Sequence, residues 1–249
     1  MQKFSANLAS VISIFFITIV CVLSVFGQTA SSEFADKSKD STADENAAII
    51  QISDSEAFDK KNELSVLGGF VPETARLYGG SRKSTYGFAA VRYSRRLASG
   101  DSLALKYQID FIPLALINYE RQRVVQIAPN TFDLERERET VYGIGVAPVG
   151  LQLNFRRKKK VQPFVGLTLG MIYFAKSIPD DRSPVFPDRI GTHLNFVTSG
   201  GGGVEFATAS ERSYTAGFKL QHISNASRGN INPGFDQSLF YFGYTFKKW

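Results

Sequence analysis

The sequence predicts an all-β fold, an eight-stranded antiparallel transmembrane β-barrel of the outer membrane, and three observations carry that prediction. From Glu63 to the C-terminus apolar and polar residues alternate with a period of two, which puts successive side chains on opposite faces of a strand. The alternating segments are about the 9 to 11 residues that a tilted strand needs to cross a bilayer. The chain also opens with the features of an export signal.

The N-terminus sets the compartment. Residues 1–27 hold a cationic start at Lys3 and an apolar run from Leu8 to Phe26, then small and polar residues, which reads as a signal peptide cleaved after Gly27 or Ala30. The run exceeds the usual apolar core of about 7 to 15 residues, so an uncleaved anchor is the alternative. Cys21, the sole cysteine, lies inside it, and Val20 before it is not the small residue of a lipoprotein cleavage box. Once residues 1–27 are removed there is no cysteine, which excludes disulfides and Cys-ligated metal. With only two histidines besides, no metal site of the His/Cys kind and no cofactor are predicted; a carboxylate-bound calcium stays open. Residues 28–62 (SSEFADKSKDSTADENAA within them) are polar and mixed in charge, a flexible periplasmic lead-in. Residues 63–249 form the barrel domain.

The alternation is clearest where Leu103, Leu105, Tyr107, Ile109 and Phe111 share one face and Ala104, Lys106, Gln108 and Asp110 the other. A soluble sandwich alternates in the same way; export and the abundant aromatic residues favour a barrel in a membrane. The pattern predicts strands over 63–71, 84–96, 101–113, 139–156, 161–174, 192–207, 213–225 and 237–247. Connections after the second, fourth and sixth are short and the others longer, so the long loops face outward and both ends of the domain lie in the periplasm. Asp133 to Glu139 (DLERERE) falls in the second outer loop as a solvated segment. Gly200 to Gly203 reads as a flexible or bulged part of the sixth strand. It is not a phosphate loop, because no helix pattern follows it. Phe240, Phe242, Tyr244 and Phe246 give the last strand an aromatic face, and the terminal Trp249 resembles the signal that barrels present to the barrel-assembly machinery, although its parity is opposite.

The formal charge of +6 suits a partner carrying phosphates. Nucleic acid fits poorly, since the densest basic run, Arg156 to Lys160, sits at a predicted turn with no interleaved aromatics. Chemistry concentrates instead in Phe218 to Asp236. His222 and Ser224, two apart on a strand, point to one face about 6 to 7 Å from each other. Parity groups them with Tyr214, Phe218 and Leu220, a face that meets lipid, and topology puts them at the outer rim. A base, a nucleophile, an orienting carboxylate (Asp236) and amide donors (Asn225, Asn232) are the parts acyl transfer needs. On spacing alone, a polar strand end running into an Asn/Gly/Pro turn is the better explanation of the stretch. His193 shares a face with Asn195 and is placed in the lumen.

The block His222 to Asp236, HISNASRGNINPGFD, resembles the signature of the PagL-type lipid A deacylases, outer-membrane barrel esterases also known as acyloxyacyl hydrolases. The resemblance implies Ser224 as nucleophile, His222 as base and Asp236 as the acidic member. It further implies Asn225 and Asn232 at the oxyanion, with Gly234 in the turn beside them. It implies lipid A or lipopolysaccharide as substrate, cut at the 3-position ester. Where the family carries Glu this chain has Asp236, one methylene shorter. The alternatives are a non-catalytic small barrel with a structural, adhesive or lipid-binding role, and a soluble lipocalin-like carrier.

Overall fold

The computed structural model describes residues 60–71, 82–208 and 212–249. The expected signal peptide, and the lead-in as far as residue 59, lie outside the described residues. Eight strands follow in order: β1 Asn62–Val71, β2 Ser84–Ser99, β3 Leu103–Ala128, β4 Thr131–Phe155, β5 Val161–Asp180, β6 Ile190–Ala207, β7 Ser213–Ser224 and β8 Phe235–Lys248. Each pairs antiparallel with the next, and β8 returns to β1, so the sheet closes into a barrel. Closure satisfies the backbone along the seam and leaves no sheet edge within the ring. The two ends of the barrel meet there, with the N–H of Asn62 donating to the Trp249 carbonyl at 2.9 Å.

The alternation has the expected sense. Val66, Phe70, Phe111, Tyr142, Phe218 and Phe242 are exposed on the outer face, which makes an apolar surface of the kind a bilayer covers. The interior divides into two zones. Near the termini it is polar, with Lys106 bound to Glu63 at 2.8 Å and to Glu205 at 2.9 Å, and Lys248 to Glu205 at 3.3 Å. Arg92 grips Asp110 through two hydrogen bonds of 2.6 and 2.8 Å. Toward the opposite end it becomes apolar, around buried Ile117, Tyr119, Ile172, Phe174, Ile223 and Phe235.

Two expectations need correction. The second outer loop is not a loop, because β3 and β4 run on to a turn at Pro129 and Asn130. Proline presets the first turn position and Asn130, at φ 59°, takes the left-handed second one. DLERERE is therefore strand: Glu137 faces Arg121, Arg138 faces Glu120 and Glu135 faces Arg123 across the hairpin. Opposite charges set directly across a ladder support it without any apolar periodicity, and apolar periodicity was the signal that defined the strand ends. Gly200 to Gly203, secondly, pair in unbroken register with β7. Three of them permit close approach, since a Cβ on Gly201, Gly202 or Gly203 would lie 2.1, 2.8 or 2.3 Å from a neighbouring carbonyl oxygen, whereas Gly200 has room for one.

Candidate functional site

The site is built on the last hairpin. β7 and β8 pair with His222 opposite Asp236 and Ile223 opposite Phe235. Ile223 and Phe235 are buried in the apolar zone of the interior, so alternation turns His222, Ser224 and Asp236 to the outer face. Sequence parity had placed the first two there, and strand pairing adds the third.

His222 Nδ1 lies 2.6 Å from Asp236 Oδ1. The carboxylate is fully buried and the imidazole about one third exposed, at 0% and 32% of their side-chain surface. A buried carboxylate needs a donor, so the pairing assigns the ring proton to Nδ1 and leaves Nε2 as an acceptor. The aspartate, although a methylene shorter than glutamate, reaches the ring because the two residues are direct cross-strand partners. Ser224 is half-buried at the end of β7, opposite Phe196, and Thr198 stands opposite His222.

The connection from Asn225 to Gly234 is tied to itself and to its surroundings. The Asn225 N–H donates to Asn232 Oδ1 at 3.2 Å and the Asn225 side-chain amide to the Ile231 carbonyl at 2.9 Å. The structure thus brings both asparagines together beside Ser224. Asn225 is 1% exposed, and its Oδ1 is buried without a hydrogen-bond partner among the described residues. Ala226 and Ser227 adopt positive φ of 51° and 61°, a conformation that non-glycine residues hold at a cost. Gly234 at φ 71° lies beside the imidazole and leaves no room for a side chain: a Cβ there would lie 2.8 Å from His222 Cε1. The turn motif identified Gly234, but its contact with the ring depends on the fold of the loop and leaves no trace in sequence.

His193 is not among the lumen side chains. Its Nδ1 bonds the Phe174 carbonyl at 2.9 Å and its ring stacks on exposed Tyr173, with centroids 5.3 Å apart. The strand pairing shifts register between Tyr173 and Ile178, beside it. Among the described residues no group of three or more His, Cys, Asp or Glu is placed to hold a metal ion.

Comparison with known proteins identifies the family. A family model described as lipid A 3-O-deacylase (PagL) matches residues 89–245, well over half of the chain, including the stretch from His222 to Asp236. Among solved structures, the outer membrane enzyme PagL aligns at 16% identity over 73% of this chain and 97% of its own, with a TM-score of 0.42. Neisserial surface protein A (NspA) aligns at 13% identity over 74% and 96%, with a TM-score of 0.39. The outer membrane protein OprG from Pseudomonas aeruginosa aligns at 11% identity over 75% and 97%, with a TM-score of 0.38. No curated protein matches the chain.

Proposed function

This chain belongs to the lipid A 3-O-deacylase (PagL) family, and from that premise we propose that it removes the 3-O-linked acyl chain of lipid A by serine-based ester hydrolysis at the rim of the barrel. The observation that carries the reading is the His222–Asp236 pair at 2.6 Å on the lipid-facing side, two residues from Ser224. A buried carboxylate aimed at a partly exposed imidazole on an apolar surface is costly in a membrane unless it is used.

In the proposed reaction His222 Nε2 takes the Ser224 hydroxyl proton as Oγ attacks the ester carbonyl. Asp236 holds the tautomer and stabilises the imidazolium. The carbonyl oxygen, now carrying the charge, is met by the Asn232 amide. Asn232 is oriented by accepting the Asn225 N–H through Oδ1, which leaves Nδ2 to donate, and backbone N–H groups of the loop assist. Collapse expels the sugar hydroxyl, which takes the proton from His222. Water, deprotonated by the same imidazole, then releases the fatty acid and restores Ser224. The scheme uses no cofactor.

Substrate access follows from placement. The site sits at the barrel end opposite Asn62 and Trp249. With that seam on the periplasmic side, as the short-turn topology of such barrels implies, the site's end meets the outer leaflet where lipid A resides. Barrel-assembly machinery is the expected partner in biogenesis.

The test is fatty-acid release from lipid A by the purified barrel in detergent. Wild type is expected to release one chain per lipid A, and Ser224→Ala to lose activity by about 10³-fold or more. Equal release by both proteins contradicts the nucleophile assignment.

A further inference from the structure

The wall against which the catalytic imidazole rests is itself held from a distance. Gly234, which lies so near the His222 ring that a Cβ would come within 2.8 Å of Cε1, accepts through its carbonyl oxygen a hydrogen bond of 3.3 Å from the N–H of Arg82. Arg82 stands just before β2, far from the site in sequence. Its guanidinium forms a two-pronged ion pair with Asp181, with Nη1 at 2.7 Å from Oδ1 and Nη2 bound to Oδ2. Nη1 also donates to the Glu120 carbonyl at 3.1 Å. Asp181 is fully buried and Arg82 8% exposed. Asp181 Oδ1 further accepts the Gln122 N–H at 3.0 Å, and the Asp181 N–H donates to the Arg189 carbonyl at 2.9 Å.

One ion pair thus ties the start of β2, the upper part of β3 and the β5–β6 connection into a frame, and the β7–β8 connection docks on that frame twice. Asn230 and Ile231 donate to the Ile190 carbonyl at 3.0 and 3.3 Å, and Gly234 accepts from Arg82. Burying two charges carries a desolvation cost that a well-packed apolar pair avoids, and the best-attested return is a fixed geometry. Planar, two-pronged pairing supplies that geometry in a way a lysine does not.

We propose that the Arg82–Asp181 pair positions the catalytic imidazole: by fixing Gly234 it confines His222 to the orientation that serves Asp236 and Ser224 together. The inference rests on the proposed serine mechanism. Arg82 and Asp181 are positioning residues and need not touch substrate. Releasing them lets Gly234 retreat and the ring swing about the bond it keeps to Asp236.

The experiment follows the labelling rate of Ser224 by a fluorophosphonate, together with kcat and KM on lipid A. It compares wild type, Asp181→Asn, Arg82→Lys, Gly234→Ala and the double variant Asp181→Asn with Gly234→Ala. Each is scored only for protein that keeps the folded mobility of an unheated barrel on a gel. Asp181→Asn is expected to lower kcat and labelling by about tenfold to a hundredfold, the scale of a misplacement near 1 Å. KM should hold within about twofold, since substrate contacts are kept. Arg82→Lys, which keeps the charge, should recover part of the loss, and it carries the test alone if Asp181→Asn does not fold. Gly234→Ala should act through the same contact, so the double variant should be no worse than the more impaired single variant. Unchanged labelling in Asp181→Asn, or additive losses in the double variant, overturns the positioning role while leaving the mechanism standing. Wild-type Ser224 that does not label overturns the mechanism, and this inference with it.

Discussion

The polar interior near the termini and the outer face of the last hairpin both bury carboxylates, and they treat them differently. Inside, Glu205 accepts from Lys106, Lys248, Asn154 and Ser213, and charge meets charge across the β1–β8 seam, where Lys248 also approaches Glu63 at 3.6 Å. On the outer face, buried Asp236 meets an imidazole that is a third exposed, Asn225 Oδ1 has no partner among the described residues, and Ala226 and Ser227 hold left-handed φ. The first arrangement closes a barrel. In the proposed reaction the second keeps a base available and accepts local strain, which is where functional sites part from well-satisfied structure.

Variants can break that contrast in a defined order. Ser224→Ala should abolish turnover, by a factor of about 10⁶ if it behaves as other serine triads do, while resistance to urea stays as in wild type. Asp236→Asn keeps the volume but favours the wrong ring tautomer, and a loss of about 10⁴-fold in kcat is expected; a small change would mean that Asp236 does not orient His222. Glu205→Ala should act the opposite way. It leaves Glu63 alone to balance both Lys106 and Lys248, so stability should fall by up to about 3 to 5 kcal/mol in urea titrations followed by gel mobility, with turnover per folded molecule unchanged. The smallest effect belongs to the upper hairpin. Arg136→Glu sets two carboxylates close together on an exposed ladder, where each cross-strand pair contributes about 0.2 to 1 kcal/mol, so neither assay should move by more than that.

The same contrast explains what could be read in the chain. The face formed by Leu103, Leu105, Tyr107, Ile109 and Phe111 announces a strand because each residue reports burial or exposure on its own. His222, Ser224 and Asp236 are legible for a related reason: two share a strand, and the third follows across a single connection. Glu135 to Glu139 misled because charged residues on both faces say nothing about a core, and the information lay in Glu120 to Arg123 opposite them. Arg82 and Asp181, separated by 99 positions, carry no local pattern at all. Each looks like a solvated loop residue until the barrel closes and brings the loops together. Gly234 was visible as a turn residue, but its closeness to the imidazole belongs to the folded loop.

The most direct measurement is mass spectrometry of lipid A from cells expressing the wild-type protein or Ser224→Ala, with both shown to be folded in the outer membrane. The account predicts that wild type alone removes one acyl chain and that the mass lost equals the fatty acid esterified at the 3-position. Identical spectra, or a loss that persists in Ser224→Ala, would contradict it.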